Sequence, residues 1–175
     1  MKIIAFGASY SKRSINKQFA SFAAKQFKNA EALILDLNDY TVPLFTVDVE
    51  AENGHPEIVR TFISKLEEAD LLIISMAEHN GNHTAAFKNL FDWASRVKLK
   101  MFEGKKMLLL STSPGGRGGA NSMEAALKRF PIHGAEIIAN FSLPSFTKNF
   151  DAEKGILDEE LKKQFDEAIK RCLNL

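Results

Sequence analysis

Five short and almost wholly apolar segments, each followed by a longer amphipathic one, constrain the fold of this chain most strongly. Their apolar residues do not alternate with polar residues, which is typical of parallel strands covered by helices on both faces. We therefore expect a parallel sheet buried between two helical layers. The predicted strands are Lys2–Phe6, Ala32–Leu37, Leu71–Met76, Lys106–Ser111 and Glu136–Phe141.

The segments between these strands place apolar residues three and four positions apart, a spacing that predicts helices. Asp158 precedes the last of them and is a plausible N-terminal cap. Two remaining stretches, Asn38–His55 and Ser142–Leu157, lack either pattern, and we expect irregular surface connections there. The predicted helices are Ser14–Phe27, Pro56–Glu68, Thr84–Ser95, Asn121–Phe130 and Asp158–Leu173.

Alternating strands and helices with right-handed crossovers leave few topologies open. The usual five-stranded solution is a flavodoxin-like three-layer α/β sandwich with strand order 2-1-3-4-5. A chain of 175 residues is long enough for one core, so we expect residues 1–175 to form a single domain.

Charge and cysteine usage exclude several classes of function. The chain carries 23 basic and 22 acidic residues, which does not suit a nucleic-acid-binding protein. No apolar run reaches the ~20 residues of a membrane helix, and the opening MKIIAFG is too short for a signal peptide. The single cysteine, Cys172, cannot form an internal disulfide. We expect a cytoplasmic protein without membrane or nucleic-acid partners, with Cys172 buried on the last helix.

Ligands of this fold bind beyond the carboxyl ends of the strands, where the strand order reverses. Strands one and three flank that point, so the informative loops follow strands one, three and four. They read GASYSKRSIN, AEHNGNH and STSPGGRGG. All three loops are rich in small, hydroxyl or amide residues, which predicts a ligand site at this edge.

The first of these loops leads into a helix N-terminus, where unpaired N–H groups attract anions. Hydroxyl and amide groups of Ser9, Ser11, Ser14 and Asn16 are candidate donors to a phosphate, and Lys12 and Arg13 add positive charge. A serine-capped helix without a ligand explains the same residues. The loop matches neither GxxxxGK[ST] nor GxGxxG, so those nucleotide cradles are not expected.

The third loop contains SPGGRGG, whose glycines let backbone approach a flat ligand closely. A flexible loop is the alternative interpretation. The four histidines are scattered and form no zinc motif, so we expect no metal site.

Together the three loops resemble the NAD(P)H-dependent FMN reductase family, whose first loop reads roughly G-S-x-R-x-x-S-x-N. Here Ser11 stands at the position of the family's arginine, and Arg13 lies two positions on. The family's second signature resembles P-E-Y-N-x-S followed by L-K-N-x-x-D-W. This chain has AEHNGN at 77–82, with Ala77, His79 and Asn82 as departures, and then FKNLFDW at 87–93.

The resemblance implies an FMN-dependent oxidoreductase that passes a hydride from NADPH or NADH, through the flavin, to a quinone, flavin or similar small acceptor. No catalytic side chain is then required, since the cofactor carries the chemistry. Residues expected at the phosphate are Ser9, Ser11, Arg13, Ser14, Ile15 and Asn16. Residues expected near the ring are Ala77, Glu78, His79, Asn80, Gly81, Ser113, Pro114, Gly115 and Gly116.

The predicted helix Thr84–Ser95 is apolar on more than one face, which indicates burial on both sides. One side would pack on the sheet and the other against a partner chain, so we expect a homodimer or homotetramer. Lys88 and Asp92, four apart, suit a surface ion pair worth ~0.3–0.5 kcal/mol.

Two alternatives stay open: a protein of this fold without flavin, motivated by the altered 77–82 loop, and a one-electron flavodoxin-type carrier. A net charge of +1 argues against the carrier, which would normally be strongly acidic. The sequence fixes neither the acceptor nor the choice between NADH and NADPH.

Overall fold

All five predicted strands form one parallel sheet in the computed structural model, which describes residues 1–174. Numbered along the chain, the strands are β1 (Lys2–Gly7), β2 (Glu31–Ile34), β3 (Leu71–Met76), β4 (Lys105–Thr112) and β5 (Ala135–Leu143). Their order is β2-β1-β3-β4-β5, and every neighbouring pair is parallel. The predicted fold class and strand order are confirmed.

Six α-helices of seven or more residues lie within residues 1–174; five are the predicted ones with ends shifted by a few residues, and the sixth, Val47–Asn53, buries none of its residues. They are α1 (Ile15–Ala24), α2 (Val47–Asn53), α3 (Glu57–Glu67), α4 (Ala85–Val97), α5 (Ala120–Arg129) and α6 (Glu159–Leu173). As predicted, Asp158 caps α6, its side chain accepting a hydrogen bond of 2.9 Å from the N–H of Leu161.

Alternate residues of each central strand enter two separate cores, as expected for a sheet buried on both faces. On one face α3, α4 and α5 pack over Ile4, Phe6 and Ile74. On the other face α1 and α6 pack over Ile3 and Ile73, among other residues. Cys172 is buried in this second core, as predicted, and burial raises the pKa of its thiol to about 11.

Two predicted element ends were too long, for identifiable reasons. Strand β2 stops at Ile34 rather than Leu37, because the Asp36 side chain accepts from the N–H of Asn38 and caps a 3-10 turn, Leu37–Tyr40. Helix α1 stops at Ala24 rather than Phe27, because the N–H groups of Gln26 and Phe27 bond three residues back and tighten the turn.

The two stretches expected to be irregular contain regular structure. In the stretch Asn38–His55, Thr46 caps α2, its hydroxyl accepting from the N–H of Val49 at 3.0 Å. In the stretch Ser142–Leu157, one helical turn, Phe146–Asn149, precedes a small hairpin pairing Phe150–Asp151 with Gly155–Ile156. Helical caps and very short hairpins are local features that apolar periodicity does not report.

No helix among residues 1–174 is long and apolar enough to cross a membrane.

Candidate functional site

The loops after β1, β3 and β4 enclose a groove of about 370 Å³ at the carboxyl edge of the sheet. Its lining comprises Ser9, Ser11 and Arg13–Asn16 from the first loop, Ala77–His79 from the second and Thr112–Pro114 from the third. The groove therefore brings together residues from all three loops that the sequence singles out.

Four of the residues expected at the site do not line this groove. Asn80 and Gly81 form the tip of the second loop, and Gly115 and Gly116 lie further along the third loop. Thr112 also lines the groove; it belongs to the third loop, STSPGGRGG, one residue beyond the predicted strand end at Ser111, but it was not among the residues expected at the cofactor.

The first loop is tied closely to the sheet, and Gly7 makes this possible. A Cβ at Gly7 would lie 2.3 Å from the backbone nitrogen of Lys17, so only glycine allows the first turn of α1 to approach the end of β1. Ser14 caps α1, its hydroxyl accepting from the N–H of Lys17 at 3.1 Å. This confirms that the serine caps the helix; capping does not exclude a ligand.

The first two N–H groups of α1, on Ile15 and Asn16, have no acceptor among residues 1–174. Both residues line the groove. The exposed guanidinium-bearing residue Arg13 lies beside them and has no carboxylate within 4 Å in that same part of the chain. This end of the groove can therefore bind an anion, through N–H donors, the helix dipole and a cation.

The side chain of Asn16 is used mainly inside the protein. Its oxygen accepts from the Ser75 hydroxyl at 2.7 Å and from the Thr112 N–H at 3.1 Å, and its nitrogen donates to the Thr112 carbonyl at 3.0 Å. The residue is 3% exposed. Asn16 thus braces the start of α1 against β3 and β4, and its backbone N–H is the group it leaves available at the groove.

The second loop is a tight hairpin, with Glu78–His79 pairing antiparallel to Asn82–His83. Asn80 and Gly81 form its two-residue turn, and both have positive φ, at 51° and 77°. That combination is what a type I′ turn requires, and Asn-Gly is its preferred sequence.

The carboxylate of Glu78 joins this hairpin to the start of α5. Its Oε2 accepts from the N–H groups of Asn121 at 2.8 Å and Ser122 at 3.0 Å. A carboxylate at a helix N-terminus accepts hydrogen bonds from N–H groups that lack a partner within the helix, and its charge interacts favourably with the helix dipole. Glu78 is therefore occupied in fixing the second loop relative to the element that follows the third.

His83 lies at the base of the hairpin, where its Nδ1 is 2.7 Å from the Ser122 hydroxyl. Its ring also meets Phe87 edge-on, with ring centroids 5.8 Å apart. Burial lowers the pKa of His83, and the charge of Lys88 lowers it further. His83 is therefore mainly neutral at pH 7, and its contacts with Ser122 and Phe87 support the hairpin of the second loop.

The third loop is held by backbone contacts to the segment after β5. The carbonyl of Ser113 accepts from the Phe146 N–H at 3.0 Å, and that of Gly115 accepts from the Ser145 N–H at 2.9 Å. Gly118 has φ of 60°, and a Cβ there would lie 2.9 Å from the backbone of Leu143. The loop is therefore braced at Ser113, Gly115 and Gly118, while Gly116 faces open space.

The outer apolar side of helix α4, which we expected to pack against a partner chain, is covered by a segment of the same chain. Trp93 is fully buried within this chain, donating to the Pro43 carbonyl at 2.8 Å and meeting Phe45 edge-on at 5.0 Å. Asn89 accepts from the Phe45 N–H at 2.8 Å. The segment Val42–Phe45 thus covers the outer face, and the KNxxDW motif holds that segment in place. Lys88 and Asp92 form the expected i,i+4 pair.

Fold and groove together define a class: a flavodoxin-like α/β protein with a groove at the switch point of the sheet, where proteins of this architecture bind their ligands. The chain belongs to the NADPH-dependent FMN reductase family, whose model matches residues 1–148.

Two named relatives are similar to this chain. An NADPH:quinone oxidoreductase from Arabidopsis thaliana is 32% identical over 136 residues, covering 73% of this chain and 66% of the plant protein. The NAD(P)H-dependent FMN reductase PA1204 from Pseudomonas aeruginosa is 28% identical over 135 residues, covering 74% of this chain and 70% of that one.

A similar fold occurs in a solved structure, the flavoenzyme NAD(P)H:(acceptor) oxidoreductase FerB from Paracoccus denitrificans. It superposes with a TM-score of 0.74 at 22% identity, covering 99% of this chain and 97% of that one.

Family membership confirms the resemblance found in the sequence and makes this chain an oxidoreductase of the NAD(P)H-dependent flavin or quinone reductase type. At the level of the family, the expected use of FMN and NAD(P)H is confirmed as well. The residue assignments, the acceptor, the single domain over residues 1–175, the oligomer and the cytoplasmic location stay predictions.

Proposed function

We propose that the groove binds FMN, with its phosphate at the start of α1, and that the protein reduces a quinone or a free flavin with NADPH or NADH. The observation that carries the proposal is the pair of unpaired N–H groups on Ile15 and Asn16 beside Arg13, inside a groove lined by all three loops. Helix N-termini of this kind bind phosphate groups.

The charges around the groove support this fit. Glu78 is the one carboxylate in its lining, and its Oε2 is held by two N–H groups of α5. The end formed by Arg13–Asn16 contains no acid that would repel a phosphate. The exposed Ser11 hydroxyl can add a neutral donor where the family has an arginine. Arg13 supplies the charge that Ser11 lacks.

The opposite end of the groove suits the flavin ring. Ala77–His79 and Ser113–Pro114 line it, and we assign the adjoining residues Asn80, Gly81, Gly115 and Gly116 to contacts at the edge of the ring. Both loops are fixed by hydrogen bonds to neighbouring elements, so their backbone donors are positioned before a ligand arrives.

When bound, FMN would supply the redox chemistry, the transfer of a hydride from the reduced nicotinamide to the acceptor. The residues of this chain bind and orient the reactants, and the backbone N–H groups of Ser113, Gly115 and Gly116 offer donors to negative charge on the ring. This scheme requires no side chain to transfer a proton; the titratable groups in the lining besides Arg13 are Glu78, whose Oε2 is held by two N–H groups of α5, and His79.

Quinone is the acceptor class we favour, supported by the relative named NADPH:quinone oxidoreductase. The test is steady-state oxidation of NADPH by the purified protein with p-benzoquinone, before and after loading with FMN. We expect turnover that depends on added FMN and saturates with protein-bound flavin. A protein that holds FMN yet oxidises neither NADPH nor NADH with a quinone or free flavin would remove the proposal.

A further inference from the structure

A second groove, of about 560 Å³, runs along the solvent side of α1. One wall is α1 with the residues just before it, and the other is the hairpin at 150–156. The lining of this groove shares only Arg13 and Ser14 with the lining of the groove described above. The two grooves therefore meet at one place, the end where we place the flavin phosphate.

The second groove is strongly basic. Three basic residues of its lining have no carboxylate within 4 Å among residues 1–174, namely Lys12, Arg13 and Lys25. Lys17 also lines the groove, but its charge is paired with Asp36. Glu153 is the one acid in the lining. Three uncompensated cations against one carboxylate favour an anionic ligand.

The floor of the second groove is aromatic. Phe22 and Phe150 are half-buried and meet edge-on, with ring centroids 5.2 Å apart and an interplanar angle of 85°. A Cβ at Gly155 would lie 2.6 Å from the Phe22 ring, so a glycine lets the hairpin close on the helix. The hairpin turn is fixed by Asp151, whose Oδ1 accepts from the N–H groups of residues 153 and 154. The groove thus offers a preformed apolar surface on which an aromatic base can pack.

The way the two grooves join restricts the ligand that could occupy both. Such a ligand needs an anionic group at the junction, a flavin on one side of it and a second aromatic group on the other. FAD has its parts in this order, because a pyrophosphate joins its flavin mononucleotide half to an adenosine monophosphate half. FMN has only the first half and ends at the junction.

The position of the aromatic floor agrees with the length of the adenosine half. Phe22 lies eight residues beyond Ser14, the cap of α1, which is ~12 Å along the helix axis. Long side chains on a helix point back towards its N-terminus, which shortens this distance. The second phosphate and the ribose of FAD span a distance of this order and would bring the adenine to the floor.

We propose that the second groove is a subsite for the adenosine monophosphate half of FAD, with the second phosphate at Lys12 and the adenine against Phe22 and Phe150. The proposal rests on the proposed function, since it begins from a flavin phosphate held at Arg13 and the start of α1. The protein then accepts FAD as well as FMN in the same flavin site, and it binds FAD more tightly.

The test is calorimetric titration of the purified protein with FMN and, separately, with FAD. We expect FAD to bind about tenfold more tightly, because a charge-assisted phosphate contact and a packed base are added. Lys12→Gln should weaken FAD binding by about fivefold and FMN binding by less than about twofold, since Lys12 lines only the second groove.

Two further variants separate the parts of the subsite from a general charge effect. Phe22→Leu keeps an apolar side chain but removes the ring, and it should weaken FAD binding by about threefold with FMN binding unchanged. Lys28→Gln is the matched control for Lys12→Gln, because Lys28 is exposed and does not line the groove. It should leave the affinity for both flavins unchanged.

FAD that binds no more tightly than FMN overturns the proposal. An equal loss of FAD affinity in Lys12→Gln and Lys28→Gln overturns it as well, since it would indicate a general charge effect. The same titrations keep the two proposals apart. A protein that binds FMN without preferring FAD contradicts the subsite alone, whereas a protein that binds neither flavin contradicts the proposed function.

Discussion

Asn16 and Thr112, 96 residues apart in the chain, exchange a pair of hydrogen bonds: the Asn16 amide donates to the Thr112 carbonyl at 3.0 Å, and the Thr112 N–H donates to the Asn16 oxygen at 3.1 Å. The side chain of Asn16 thus forms a reciprocal pair of hydrogen bonds with the backbone of Thr112, as a neighbouring strand would. Both residues are buried, and the exchange fixes the first loop of the site against the third.

Replacing Asn16 by alanine should therefore destabilise the protein by ~2–4 kcal/mol, because the Ser75 hydroxyl and both backbone groups of Thr112 lose their partner while buried. Chemical denaturation measures the loss. Asn53→Ala is the matched control, since Asn53 is exposed and its amide bonds only the carbonyl of Val49. Similar denaturation midpoints for the two variants would show that the hydrogen bonds of the Asn16 side chain do not contribute to the stability of the protein.

Gly7 and Gly116 make a second matched pair. Gly7→Ala would place a Cβ 2.3 Å from the Lys17 nitrogen, against backbone that cannot move without displacing α1. We expect a loss above ~4 kcal/mol or failure to fold. Gly116→Ala meets no atom within 4 Å and should change the free energy of unfolding by less than ~1 kcal/mol. Expression yield and thermal unfolding compare them; a folded, equally stable Gly7→Ala variant would contradict the close approach of helix and strand.

Glu78→Gln should weaken the connection between the hairpin and α5, since an amide oxygen still accepts but no longer carries the charge that suits a helix N-terminus. We expect a loss of ~1 kcal/mol, and ~2 kcal/mol for Glu78→Ala. Glu124→Gln serves as the control, because Glu124 is an exposed residue of α5 paired only with Lys128. Amide hydrogen exchange at Asn121 and Ser122 should quicken in the Glu78 variants alone; unchanged exchange there would argue against the capping role.

His83 predicts a pH dependence whose sign follows from its burial. The pKa of His83 is lowered from 6.5 in the folded protein, so below pH 6.5 the unfolded chain binds a proton that the folded chain refuses. Stability should therefore fall as the pH drops from 6.5 towards the folded pKa, and stay constant above pH 7.

His83→Gln, which can keep a bond to Ser122, should flatten this part of the stability curve, measured by denaturation between pH 7.5 and 5. His79→Gln, at an exposed histidine on the same hairpin, should show the same dependence of stability on pH as the parent protein. A parent curve that rises as the pH falls through this window would contradict the desolvation of His83.

The sheet and its order could be predicted because apolar residues fill both faces of the three central strands, β1, β3 and β4. At the edge, β2 is largely exposed, and the local cap at Asp36 ends it earlier than its apolar run predicts. The groove's location followed from the same order, since parallel strands end at one edge. The role of Asn16 could not be predicted, because an amide side chain suits both a phosphate-binding site and a buried hydrogen-bonding contact between two elements. Its partner Ser75 lies in an apolar predicted strand, and Thr112 lies in the third loop; neither position indicates a contact with Asn16 in the sequence.

Other features left a signal that periodicity does not capture. Asn80-Gly81 is a strong hairpin sequence, and Thr46 followed by Asp48 and Glu50 is a helix start. The sequence gives no comparable signal that the segment Val42–Phe45 packs over Trp93, because the two are joined only by tertiary contacts. An apolar helix face alone therefore could not distinguish a loop of the same chain from a partner.

The most direct test of the phosphate cradle compares FMN with riboflavin, which has the same ring and ribityl chain but no phosphate. Calorimetric titration of the purified protein should show FMN binding at least ~100-fold more tightly, since charge-assisted bonds to the N–H groups of Ile15 and Asn16 and to Arg13 are lost together. Arg13→Gln should narrow that ratio and leave riboflavin binding unchanged. Equal affinity for the two flavins, or no uptake of either, would contradict a phosphate site at the start of α1.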